Sequence, residues 1–267
     1  MQNLIVTFIQ TELVWEDTQA NLEMLDKKIE AIENPTDLIL LPEMFSTGFS
    51  MHPAGLAETM QGSAVAWMME KAKKKSADIT GSLMIEEDGR YFNRLIWAKP
   101  DGRMVTYDKK HLFRMTGEEK VYSAGTHQLT VELKGWRIRP FICYDLRFPV
   151  WMRNSGKPYD LAIVVANWPA SREIQWQTLL RARAIENQSY VIGVNRIGVD
   201  GNQIEYNGYS CVVDYQGNVH SQEVKRAHTQ TASLSLTTLQ NYRETFPVWM
   251  DRDTELDQLF HESDASV

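Results

Sequence analysis

The sequence predicts an α/β or α+β fold in which helices cover sheets of mixed strand direction. Three observations carry that prediction. Apolar runs alternate with amphipathic helical repeats through the first 85 residues, hairpin turns punctuate the middle, and 267 residues with 43% hydrophobic side chains can bury a sizeable core. No repeat or linker-like stretch interrupts the chain, so residues 1–250 read as one domain and the acidic, apolar-poor residues 251–267 as a tail.

The run from Leu4 to Ile9 is almost uninterrupted, as a strand buried on both faces requires. Asp17 and Thr18 are good N-cap residues, and Leu22, Leu25, Ile29 and Ile32 recur at spacings of three and four, giving a helix that stops before Pro35. Leu38 to Leu41 returns to strand. Ser63 to Lys75, with Val65, Met68 and Ala72 on one side, reads as helix, and Ala77 to Ile85 as strand. Turns at Glu87-Asp88-Gly89 and Pro100-Asp101-Gly102 then bound the β-rich runs Tyr91 to Lys99 and Arg103 to Tyr107. Leu129 to Leu133 and Trp136 to Cys143 form a further hairpin around Lys134-Gly135. Beyond it come a buried strand, Leu161 to Ala166, a helix, Ile174 to Asn187, and strands at Tyr190 to Arg196 and Tyr209 to Asp214. A turn at Gln216-Gly217-Asn218 and a short helix from Leu236 to Arg243 complete the order.

A formal charge of -7, with no basic run longer than Lys73-Lys74-Lys75, argues against nucleic-acid binding, which needs a basic surface to neutralise phosphates. No apolar stretch approaches the ~20 residues of a membrane span, and the first residues, MQNLIVTFIQ, lack signal-peptide character, so a soluble cytoplasmic protein is expected. The two cysteines, Cys143 and Cys211, lack the spacing of a zinc site, and the six histidines are scattered, so no metal is expected. Motifs for phosphate loops, dinucleotides, serine hydrolases and zincins are absent.

Three strand ends carry reactive side chains: LILLPEMF with Glu43, MVTYDKKHLF with Lys109 and Lys110, and RPFICYDLRFP with Cys143. Open α/β sheets present functional groups at such ends. Singly, each has an ordinary reading, as a surface glutamate, a solvated lysine or a buried small thiol. Together they suggest one site.

The blocks LPEMFSTGF, YDKKHLFRM and ICYDLRFP resemble the three signature blocks of the carbon-nitrogen hydrolase (nitrilase) superfamily, most closely its bacterial omega-amidase branch. The likeness continues through VVANWPASR and LLRARAIENQSYVIGVNRIG. It implies a four-layer α-β-β-α sandwich, a homodimer, no cofactor and a Glu-Lys-Cys triad. By position the triad is Glu43, Lys109 and Cys143, and a supporting glutamate falls at Glu118, with Glu119 adjacent. The family pattern Lys-x-His-Leu-Phe selects Lys109 over Lys110. Asp108 and Arg139-Pro140 depart from common family forms, outside the triad.

The implied reaction is attack of the Cys143 thiol on an amide, with Glu43 moving the proton. A thiol of pKa ~8.5 and a carboxyl of ~4.3 are mismatched by about 4 units, or about 6 kcal/mol. Burial raises a carboxyl pKa and an ammonium beside a thiol lowers the thiol's, so both effects are expected here. Lys109 and the Tyr144 backbone N–H are expected to stabilise the oxyanion. The likeness further implies a small dicarboxylic monoamide, 2-oxoglutaramate or 2-oxosuccinamate, as substrate. Arg147 and Arg114 are the candidate carboxylate donors, Phe45, Tyr144 and Trp168 the candidate walls, and Asn167 a polar contact; each has an equally available structural role. A nitrilase, an N-carbamoyl amino-acid hydrolase, an aliphatic amidase and a noncatalytic binding module remain alternatives.

Overall fold

The computed structural model describes residues 3–154 and 158–253. Its elements in chain order are β1 (Leu4–Gln10), α1 (Thr18–Glu30), β2 (Leu38–Leu40), α2 (Ser63–Lys75), β3 (Asp78–Glu87), β4 (Arg90–Ala98), β5 (Met104–Asp108), α3 (Glu118–Val121), β6 (Val131–Leu133) and β7 (Trp136–Ile142). They continue with α4 (Pro149–Met152), β8 (Leu161–Ala166), α5 (Glu173–Asn187), β9 (Tyr190–Asn195), β10 (Ile197–Val199), β11 (Glu205–Val213), β12 (Val219–Val224), β13 (His228–Leu234) and α6 (Leu236–Thr245).

The strands form two mixed sheets, ordered β13-β1-β2-β3-β4-β5 and β10-β11-β9-β8-β7-β6, with β12 added on β11. Period-two patterning decides what each face meets. Leu4, Val6 and Phe8 of β1, Leu38 and Leu40 of β2, and Leu161, Ile163 and Val165 of β8 turn inward to one core between the sheets. The alternate residues turn outward. Ile39 and Ile79 pack under Leu25 and Ile29 of α1 and Val65 and Met68 of α2, while Ala162, Val164 and Val191 pack under Trp176, Leu180 and Ala184 of α5. The result is the α-β-β-α sandwich, with each sheet apolar on both faces.

Local chemistry explains the punctuation. The Asp17 side chain accepts the Ala20 N–H at 2.9 Å and so caps α1. At two of the three predicted hairpins the two central residues have positive φ: Asp88 (52°) with Gly89 (72°), and Lys134 (51°) with Gly135 (83°). That is the two-residue turn whose twist matches paired strands.

The sequence reading missed β10, β12 and β13 and began β11 four residues late. These strands are polar or short: β13 reads HTQTASL and buries only Leu234, so no apolar run marks it. It is held by backbone pairing to β1 in the register Leu4↔Leu234 through Gln10↔His228. The expected tail, 251–267, lies outside the described residues beyond Asp253.

Candidate active site

The two sheets bring their strand ends together on one rim. Glu43 follows β2 by three residues, Lys109 follows β5 directly, Cys143 follows β7 directly, Asn167 follows β8 directly, and Glu118 opens α3. Two backbone features aim these groups. Met44 (φ 42°) turns the chain sharply after Glu43, and its N–H is held by Ser82 Oγ at 2.9 Å. Cys143 itself sits at φ 43°, a left-handed conformation costly for a residue with a Cβ and characteristic of functional turns.

Glu43, Lys109 and Glu118 are almost wholly buried. The Lys109 ammonium donates to Glu43 Oε1 at 2.9 Å and to both Glu118 oxygens, at 2.9 and 3.0 Å. Asn93, buried on β4, donates to Glu43 Oε1 at 2.8 Å and to Glu118 Oε1 at 3.4 Å. The Phe113 N–H donates to Glu118 Oε2. On the far side, the Asn167 N–H donates to Glu43 Oε2 at 2.8 Å, and its amide donates to the Glu43 carbonyl at 2.7 Å. Each carboxylate is therefore pinned from two directions. Cys143 Sγ lies 3.9 Å from the Asn167 carbonyl oxygen.

Burial of the sulfur beside two glutamates corrects one expectation. The Cys143 thiol is pushed well above its ordinary pKa, first by burial and then by Glu43, and the lowering by Lys109 does not compensate. The resting group is a thiol, so its proton must leave as attack proceeds. Burial opposes the Lys109 charge, but the two glutamates outweigh it and hold the pKa above the usual lysine range. Burial also raises Glu118, against the pull of Lys109. Cys211 is buried in β11, its pKa pushed up to about 12 by burial, and takes no part.

Cys143 opens into a pocket whose walls include Phe49, Phe113, Tyr144, Trp168 and Tyr206. Arg147 and Arg172 lie on the same walls, each guanidinium over an aromatic ring: Arg147 on Trp168 at 5.0 Å and Arg172 on Phe113 at 5.3 Å. Neither is within ion-pair distance of a carboxylate among the described residues. A larger groove runs between Arg153 and Trp249 and has no nucleophile among its lining residues.

The structure thus brings together Glu43, Lys109, Glu118, Cys143, Tyr144, Arg147, Asn167 and Trp168. Glu118, not Glu119, faces the lysine; Glu119 borders a neighbouring groove. Two assignments need correcting. Arg114 is exposed and borders that same neighbouring groove, because the chain turns at Phe113 to bind Glu118 and gives the pocket Phe113 instead. Phe45 is wholly buried against Trp67, ring centroids 5.9 Å apart, because the turn at Met44 sends it back under α2; Phe49 lines the pocket in its place. Sequence reasoning missed Asn93, Phe49, Arg172 and Tyr206. Phe49, which ends LPEMFSTGF, and Arg172, which ends VVANWPASR, stood within recognisable blocks; Asn93 and Tyr206 did not.

A thiol with a buried carboxylate within its reach and an ammonium beside it can carry out acyl transfer, which is the chemistry of an amide hydrolase. The carbon-nitrogen hydrolase family model matches residues 5–244, and the chain belongs to that family, as a hydrolase acting on the carbon–nitrogen bonds of linear amides. It is similar to omega-amidase YafV of Escherichia coli K12, 47% identical over 254 residues that span 95% of this chain and 98% of that protein. It is 30% identical to 2-oxoglutaramate amidase of Bacillus subtilis, over 92% of this chain and 96% of that protein. Among solved structures, XC1258 of Xanthomonas campestris, a CN-hydrolase superfamily protein with an arsenic adduct in its active site, superposes with a TM-score of 0.93. The two are 43% identical, and the match covers 95% of this chain and 98% of that one.

Proposed function

We propose that this chain is an omega-amidase that hydrolyses the terminal amide of small dicarboxylic monoamides, 2-oxoglutaramate and 2-oxosuccinamate, to the acid and ammonia. The observation that carries this reading is the pairing of a thiol–glutamate–lysine cluster with two guanidiniums, Arg147 and Arg172, that have no carboxylate partner among the described residues. A substrate with an amide at one end and a carboxylate at the other complements both. The likeness to the omega-amidase and 2-oxoglutaramate amidase supports the same substrate class.

In this mechanism Cys143 Sγ attacks the amide carbon while Glu43 takes the thiol proton. The oxyanion is met by Lys109 and by the Tyr144 N–H, which lies in the first turn after the sulfur, where a helix leaves its N–H groups without internal partners. Glu43 then gives the proton to the departing nitrogen, which leaves as ammonia, and a thioester remains. Glu43 next takes a proton from water, hydroxide adds to the thioester, and the acid leaves as the proton returns to sulfur. Glu118 and Asn93 hold Lys109 and Glu43 in register.

We take residues 1–250 as one catalytic domain acting in the cytoplasm, and the active species as a homodimer. Among the described residues no helix is long and apolar enough to cross a membrane. Ile174 and Ile185 on α5, 73% and 53% exposed, give an apolar outer face suited to a second copy. The test of function is ammonia release from 2-oxoglutaramate, 2-oxosuccinamate, glutamine, a nitrile and an N-carbamoyl amino acid, with intact-mass detection of the thioester. Preference for the two 2-oxo amides, abolished in Cys143→Ala, is expected; full turnover by Cys143→Ala would overturn the mechanism.

A further inference from the structure

A single buried carboxylate ties the lysine loop of one sheet to the cysteine turn of the other. Asp145 is wholly buried and takes part in four hydrogen bonds, two at each oxygen. Its Oδ2 accepts the Ile142 N–H at 3.0 Å and the Tyr107 hydroxyl at 2.7 Å. Its Oδ1 accepts the His111 N–H at 2.9 Å and faces His111 Nδ1 at 2.8 Å. A carboxylate offers only acceptors, so this Nδ1 carries the ring hydrogen.

The identity of the donors is what matters. Ile142 immediately precedes the nucleophile, whereas Tyr107 and His111 stand two residues either side of Lys109. An aspartate that merely capped its own turn would need only the Ile142 N–H. Here three of the four donors come from 34 to 38 residues upstream, from β5 of the opposite sheet and the loop that follows it. The same two pieces also meet elsewhere: Trp151 Nε1 donates to the Tyr107 oxygen at 3.0 Å, and the His111 ring stacks on Phe148 with centroids 3.7 Å apart and planes within 7°. Asp145 does not line the Cys143 pocket and reaches no substrate.

We propose that Asp145 is a positioning residue that fixes the Lys109 ammonium relative to the Cys143 sulfur and holds the left-handed turn at Cys143. This rests on the thiol mechanism proposed above. The cluster needs such a tie because its members come from separate sheets, and a misplacement of about 1 Å in reacting groups costs about 100-fold in rate. Asp145→Asn keeps the shape but turns an NH2 toward at least one N–H or O–H donor.

The experiment measures ammonia release from 2-oxoglutaramate by Asp145→Asn and His111→Ala, with rates expressed per folded protein from thermal melts. Asp145→Asn is expected to lose about 100-fold in kcat with KM within about threefold of wild type. A variant that only folds less well would keep wild-type kcat per folded molecule. Wild-type kcat in Asp145→Asn, or a rise in KM matching the fall in kcat, overturns the proposal. Should Asp145→Asn not fold, His111→Ala decides: it removes one donor, and a roughly tenfold lower kcat at wild-type KM supports the tie, whereas wild-type kcat overturns it. An inactive Cys143→Ala beside a fully active Asp145→Asn would sink only the tie; an active Cys143→Ala would sink the thiol mechanism beneath it.

Discussion

Replacing Lys109 by methionine isolates the electrostatics of the buried cluster. The side chain keeps its length and its apolar stem, but three N–H···O contacts of 2.9 to 3.0 Å disappear, and Glu43 and Glu118 are left facing each other with no cation. Removing one member of a buried ion pair costs about 3–5 kcal/mol, because the remaining charge stays desolvated. At roughly 2–4 °C per kcal/mol for a chain of this size, the melting temperature should fall by roughly 6–20 °C at neutral pH. The loss should depend on pH with a definite sign. Glu118 is already raised above 4.5 in the folded protein, and without Lys109 it rises further. A group raised on folding binds more protons folded than unfolded, so its stability contribution is present below its unfolded pKa and fades as pH rises through the folded one. Lys109→Met should therefore recover toward wild type as the medium is acidified, as Glu118 takes up a proton. Melts of both proteins at pH 5 and pH 8 would show it. A difference in melting temperature that is the same at both pH values, or absent at pH 8, would refute the argument.

Three further outcomes follow from the same geometry. Glu43→Gln removes the proton carrier and should lower kcat by about 10²–10⁴; ammonia release from 2-oxoglutaramate at a rate within tenfold of wild type would count against that role. Arg172→Met should lower kcat/KM for 2-oxoglutaramate about tenfold or more, a charge-assisted hydrogen bond being worth about 1.5–3 kcal/mol, and leave a neutral amide unaffected; equal losses on both substrates would exclude a carboxylate contact. Gly125→Ala should lower both kcat and the melting temperature, since an added Cβ would lie 2.1 Å from the Asp108 carbonyl oxygen, beside the backbone that delivers Lys109; wild-type behaviour in both would show that this contact yields freely.

What the sequence made legible was whatever apolar periodicity or a local motif records. The bounds of α2 match the expected Ser63 to Lys75, and the two type I′ hairpins fell where Asp-Gly and Lys-Gly dipeptides stand between strands. Glu43, Lys109 and Cys143 were visible because each ends an apolar run within a recognisable block. Asn93 was not, since an asparagine between Phe92 and Arg94 in a β-rich stretch carries no mark of facing two carboxylates. Its place depends on the β4–β5 register, which sets Arg94 against Asp108 and so brings Asn93 beside Lys109. Phe45 and Arg114 failed for a related reason: proximity along the chain to a functional group does not fix direction, and a single positive φ at Met44 was enough to exchange Phe45 for Phe49. The thiol's raised pKa likewise could not be read from counting one lysine, because the sign was set first by burial and then by Glu43.

The pairing of β1 with β13 constrains when the protein can finish folding as it is made. Thr7 and Thr231, whose hydroxyls meet at 2.8 Å, are 224 residues apart. At about 5–20 residues per second, β1 leaves the ribosome about 11–45 s before its outer partner does. Throughout that interval one side of an apolar strand, already paired to β2 on the other, presents open N–H and C=O groups, the kind of edge that recruits foreign strands. The polar, weakly apolar β13 is thus the closing strand of the first sheet, and a chain cut short before residue 228 would carry its triad residues and yet leave the ribosome with that edge uncovered.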